Sequence, residues 1–182
     1  MLRVLWVSGL AASASCLTPG LCGHPALIAP KAFPALPPAV TADLEARACR
    51  IPQSYMDPAP HNVVVGSFFG PSSQDWAVLC SREGRSSILV YPAGETEGVE
   101  EIARGREDGP PLATQVAEEE RFGFDRMITA VGEKYIFDRY RWYGGPEPPP
   151  IQHQGINDAV VEKASRVHYY YDGSWLVLQG AD

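Results

Sequence analysis

The sequence predicts a mainly β (α+β) fold, an antiparallel meander sheet of about six to eight short strands with one or two short helices. Three observations carry this. Between Asn62 and Pro92 three apolar runs are separated by two short breaker loops. Each run holds about four or five residues between turn residues, too few for a buried helix. Near the C-terminus Asp172-Gly173 separates two further apolar runs, and a D-G dipeptide in that setting is a strong hairpin signal.

At the N-terminus Arg3 precedes a short apolar run, Val4 to Ala12, and Ala12-Ser13-Ala14 offers small residues for cleavage. Residues 1–23 are therefore expected to be a signal peptide, and the chain a secreted or periplasmic protein. The apolar run is too short to cross a bilayer, so no transmembrane segment is expected. Lipid attachment at Cys16 is the alternative, disfavoured because Ser13-Ala14-Ser15 lacks the leucine usual before such a cysteine. Residues 24–40, rich in Pro and Ala, are expected to form an extended leader, because Pro removes a backbone donor and pushes its predecessor to extended geometry. Residues 41–182 are then one globular domain, a size usual for one core.

Thr41 is the expected cap of a short helix, Ala42 to Cys49, with Leu44 and Ala48 on one face. Four cysteines are present, Cys16, Cys22, Cys49 and Cys80, and loss of residues 1–23 leaves an even pair. In an oxidising compartment Cys49–Cys80 is the expected disulfide. Closing a loop of about 30 residues would contribute about 3–4 kcal/mol through chain entropy. Two independently buried thiols are the alternative.

In the central stretch, Val63 to Phe69 is rich in β-branched and aromatic residues, with Gly66 read as a bulge or bend. Trp76 to Leu79 and Ile88 to Tyr91 are the next two strands, joined through Arg82-Glu83-Gly84-Arg85. Residues 66–78, GSFFGPSSQDWAV, resemble the integrin-type FG-GAP repeat without a gap, matching at Gly66, Phe68, Gly70, Asp75, Ala77 and Val78. The resemblance implies a strand-loop-strand unit whose loop binds calcium in that family. Here the liganding positions are Ser67, Phe69 and Pro71, and Asp75 alone is acidic. Calcium takes about six to eight oxygens, several from carboxylates, so no metal is expected. The stretches QDWAVLCS, SSILVY, HQGI, VEKAS and LQGAD also resemble a group of short, uncharacterised secreted bacterial proteins, which implies no particular activity.

From Gly94 to Arg121 acidic residues predominate: Glu95, Glu97, Glu100, Glu101, Glu107, Asp108, Glu118, Glu119 and Glu120, against Arg104, Arg106 and Arg121. This reads as one short element around Val99–Ala103 and a solvated loop; a recognition surface for a cation or a basic partner is the functional alternative. Met127 to Val131 is a strand, Gly132-Glu133 a turn, and Tyr135 begins another element. Tyr140, Trp142 and Tyr143 lie among Arg139 and Arg141, and such clusters stack sugars or nucleobases in some proteins. The charge balance argues against nucleic acid. Removing residues 1–23 takes Arg3 away, so the net charge of −7 becomes −8, which repels phosphate.

Gly144 to Pro150 is a polyproline loop. In the last hairpin Val167, Tyr169 and Tyr171 should share one strand face, with Arg166, His168 and Tyr170 on the other. That reading makes His168 a surface or edge residue and buries Trp76 and Trp175 with the N-terminal helix over one sheet face. His153, Asp158 and Glu162 are the candidates for acid–base chemistry or a metal. No zinc, phosphate-loop or nucleophile-elbow motif accompanies them. Ordinary loop hydrogen bonding explains the same residues. The expected function is a small binding or interaction module for a protein or small ligand, without catalysis or cofactor. A small hydrolase using His153, Asp158 and Glu162 is the alternative.

Overall fold

The computed structural model describes residues 27–106, 112–116 and 119–181. The expected signal peptide, residues 1–23, and the lipidation alternative at Cys16 lie outside the described residues, as do Glu107, Asp108 and Glu118.

From Leu27 on, the Pro/Ala-rich stretch packs into the core in place of the expected extended leader. β1 (Leu27–Ile28) pairs with β2 (Ile51–Pro52), and Pro30–Ala32 forms a 3₁₀ turn. Phe33, Leu36 and Val40 are buried in the first hydrophobic cluster. The helix α1 spans Pro38–Ala46, about a turn earlier than the sequence suggested. Pro38 stands at its first position, where a fixed φ suits the helix and the missing N–H costs nothing. Thr41 therefore lies inside the helix, and Val40, not Ala48, accompanies Leu44 on the buried face. Ala48 instead takes φ 55° and ends the helix. Cys49 follows at once and is bonded to Cys80, with Cα atoms 5.4 Å apart.

The first sheet runs β3 (Val63–Gly66), β4 (Asp75–Arg82), β5 (Arg85–Tyr91) and β6 (Glu100–Arg106), paired antiparallel in that order. Glu83 and Gly84, both at positive φ, join β4 to β5 as a tight hairpin whose twist matches its strands. Strand alternation gives the sheet two apolar faces. Trp76, Val78, Cys80, Leu89 and Tyr91 meet α1 and its neighbours. Ala77, Leu79, Ile88 and Val90 face the opposite way. Gly66 ends β3 without a bulge: a Cβ there would come within 2.7 Å of the Phe68 ring. β6 covers the short element expected around Val99–Ala103, and β7 (Leu112–Val116) and β8 (Glu119–Gly123) pair as a separate hairpin within the acidic stretch.

The second sheet comprises β9 (Arg126–Val131), β10 (Gly155–Val160), β11 (Ala164–Tyr171) and β12 (Ser174–Gln179). All pairings are antiparallel, in the order β12-β11-β10-β9. Between β9 and β10 the helix α2 (Glu133–Tyr143) begins at Gly132, which caps it where the sequence suggested a turn. Ile128 and Ile156 pack on the first sheet's second face. Val167, Tyr169 and Leu178 point to the other side, under Ile136 of α2. The layers are therefore α1, first sheet, second sheet, α2. The mainly β, antiparallel class is as expected. The single meander resolves into two four-stranded sheets and two small pairs, twelve strands among the described residues.

Asp172-Gly173 turns β11 into β12 as expected, with Tyr170 opposite Trp175. The two strand faces also alternate as expected. His168, however, is 5% exposed and faces the interlayer core. It is neither a surface nor an edge residue, because this sheet is covered on both sides. Trp76 and Trp175 do not share a cover: Trp76 lies under α1, and Trp175 is half-buried at the edge of the interlayer core.

Candidate functional site

Three clusters hold the chemically informative side chains. The first is the loop between β3 and β4. The Asp75 carboxylate accepts hydrogen bonds from the Phe68 N–H (2.7 Å), the Phe69 N–H (2.9 Å), the Ser73 hydroxyl (2.5 Å) and the Ala93 N–H (2.9 Å). Its oxygens organise the loop and tie it to the segment after β5. Among the described residues, no group of three or more His, Cys, Asp or Glu side chains is arranged to hold a metal ion. Across the loop the Ser67 N–H donates to the Gln154 side chain and the Gln154 N–H returns to the Ser67 carbonyl, so the two sheets are stitched here as well.

The second cluster lies between the sheets. Arg126 of β9 binds Asp158 of β10 through Nε (2.6 Å) and Nη2 (2.7 Å). It also donates to the Ser86 hydroxyl and the Ala103 carbonyl of the first sheet. His168 Nε2 stands 3.5 Å from Asp158, an ion-pair distance without an aligned hydrogen bond. Burial works to raise the Asp158 pKa, but His168 and Arg126 outweigh it and hold the carboxyl below its ordinary value. A doubly hydrogen-bonded carboxylate is a poor proton acceptor, so this geometry favours a clamp over acid–base chemistry.

The residues His153, Asp158 and Glu162 do not converge. The His153 ring binds the adjacent Gln154 carbonyl, Asp158 is held by Arg126, and Glu162, exposed in the β10–β11 turn at φ 59°, accepts the Tyr55 hydroxyl.

The third cluster is one flank of α2. The Arg139 guanidinium lies 4.3 Å from the Tyr135 ring centroid, 5.0 Å from that of Trp142 and 5.9 Å from that of Tyr143. Residues 135, 139, 142 and 143 are spaced at three, four and seven, so one helical face gathers them. Trp142 is 67% exposed and Tyr143 is 38% exposed. Of the three binding candidates read from sequence, Trp142 and Tyr143 belong to this flank. Tyr140 does not; it packs toward the third hydrophobic cluster. Tyr135 was the member missed, and the helical spacing was the signal that could have found it. Its hydroxyl reaches Asn157 of β10 at 3.3 Å, which anchors the flank to the sheet.

Arg139 has no carboxylate partner among the described residues, and its Nε–H is buried without an acceptor. The adjacent Asp138 turns to the other flank, where Lys134 and Arg141 bind it. There a shallow groove of about 500 Å³ is lined by Glu133, Lys134, Phe137, Asp138 and Arg141, whose charges largely pair with one another. Past α2, Gly144 at φ 74° closes the helix and leads into the exposed start of the polyproline loop.

A second set of rings, Phe69, Tyr170 and Trp175, packs edge to face with centroids 4.8–5.6 Å apart. Trp175 Nε1 donates to Glu100 at 2.7 Å. These rings satisfy one another and close the edge of the interlayer core.

No family model matches this chain, and searches of curated proteins and of solved structures find no match.

Proposed function

We propose that this protein is a small secreted binding module without catalytic activity, and that its ligand meets the Arg139 flank of α2. One observation carries the reading: a guanidinium whose Nε–H has no acceptor among the described residues, held among the rings of Tyr135, Trp142 and Tyr143, of which the last two are exposed. Exposed aromatic rings beside arginine are residue types enriched where proteins meet protein partners, and aromatic faces with arginine also take up stacked rings. The interlayer charges support the same reading from the other side, because Asp158 is occupied by Arg126 and lies apart from His153 and Glu162. The FG-GAP-like loop enters as a scaffold whose acidic residue serves the backbone.

Secretion rests on the residue 1–23 pattern and on the Cys49–Cys80 disulfide, a bond that persists in oxidising compartments. No helix among the described residues is long and apolar enough to cross a membrane.

The test is a glycan and peptide array probed with the wild-type chain and with Trp142→Ala. Retention of a ligand class by the wild type, lost in the variant, is the expected result. Retention that ignores Trp142, or turnover of an ester, peptide or glycoside that disappears in His153→Ala, would contradict the reading and favour the hydrolase.

A further inference from the structure

We propose that the Arg139 flank of α2 takes a carboxylated saccharide, one whose sugar ring stacks on Trp142 and whose carboxylate meets the Arg139 guanidinium. This rests on the binding reading above and names its ligand class.

The guanidinium supplies the first half of the argument. Arginine is a planar fork of donors suited to carboxylate or phosphate. The Nε–H is sealed from solvent and unpaired, so an acceptor from outside meets the Nη groups, end on. The rings fix the plane of that fork, since three centroids lie within 4.3–5.9 Å of it. A guanidinium held in one plane loses less freedom on binding than a mobile one.

Charge supplies the second half. The chain carries a formal net charge of −7, so an anionic ligand must be met by local charge, and one guanidinium supplies that for one carboxylate. A saccharide with one carboxylate per ring presents isolated charges that a single arginine can meet. Trp142, 67% exposed, offers a flat apolar ring at the end of the same flank, where a sugar's C–H face can lie. Both parts sit on a helix tied to the sheet through Ile136 and the Tyr135–Asn157 hydrogen bond, so the site is built on a rigid element.

The experiment is titration calorimetry of the full chain with trigalacturonate and with neutral trigalactose. We expect trigalacturonate to bind the wild type and trigalactose to bind at least about tenfold more weakly, the loss of a charge-assisted hydrogen bond. Arg139→Gln and Trp142→Ala should each weaken trigalacturonate by about tenfold or more. Lys134→Ala, on the other flank, should leave it unchanged. Circular dichroism melts of each variant check that the fold is intact, and Arg139→Lys gives a second variant that keeps the charge and loses the fork. Equal binding of the neutral trisaccharide, or an Arg139→Gln variant that binds as wild type, overturns the carboxylate assignment while Trp142-dependent array binding stands. Absence of binding by both saccharides overturns the ligand class. Should the array also show no ligand that depends on Trp142, the binding reading itself falls.

Discussion

Glu101 is the residue on which acid sensitivity should be read. Its carboxylate accepts from Arg82 at 2.7 Å, from Ser87 at 2.7 Å and from Arg104. Burial works to raise its pKa, but these hydrogen bonds win and bring it to about 2. A folded value below the unfolded one, about 4.3, stabilises the protein above that unfolded pKa. The contribution is lost as pH falls from there through about 2. Thermal melts between pH 5 and pH 2 should therefore show a falling Tm, and Glu101→Gln should flatten that slope while lowering Tm at neutral pH. Asp75 makes a different prediction. With four donors on its carboxylate, Asp75→Ala should cost about 2–4 kcal/mol, because it leaves buried N–H groups unpaired. Added Ca²⁺ or EDTA should leave the wild-type melt where it is. A rise of several degrees with Ca²⁺, abolished in the variant, would show that the loop still binds metal.

Elements differ in how far the sequence exposes them. The β11–β12 hairpin was legible because it is local: Asp172-Gly173 dictates a two-residue turn, and alternation then fixes which residues share a face. The disulfide was legible through cysteine parity and compartment. Its reduction should lower stability by about 3–4 kcal/mol, given a separation of 31 residues, and a melt with and without reductant measures it. The segment from Leu27 to Val40 was not legible. Its prolines suggest an extended chain, but the chain turns through Pro30–Ala32 and enters α1 at Pro38, and where it docks depends on Phe33, Leu36 and Val40 finding the face of a sheet formed from residues much later in sequence. His168 failed for a related reason. Period-two alternation separates two faces without saying that both are covered, and both are. The α2 flank was half legible: the basic-aromatic composition drew attention to Trp142 and Tyr143, but only helical spacing separates Tyr140 from them and adds Tyr135.

In the molecule as a whole, the two sheets are held by an apolar interface crossed by a charged rivet. Arg126 spans it, reaching Asp158 in its own sheet and Ser86 and Ala103 in the other. The side chains of Arg126 and Asp158 are 12% and 11% exposed, so removing one leaves the other charge largely desolvated. Arg126→Met should cost about 3–5 kcal/mol, measured by urea denaturation, whereas replacing both residues with apolar ones of similar volume should cost much less. This network was invisible in the sequence because it joins residues from four strands. The interlayer charges stabilise, and Arg139, which has no carboxylate within ion-pair distance among the described residues, lies outside them on α2. The most direct test of that division is a map of backbone amide and tryptophan indole NMR shifts during titration with trigalacturonate. Changes concentrated on Tyr135 to Gly144 and on the Trp142 indole are the expected result. Changes centred on His153 and Asp158, or on Phe69, Tyr170 and Trp175, with α2 silent, would contradict it.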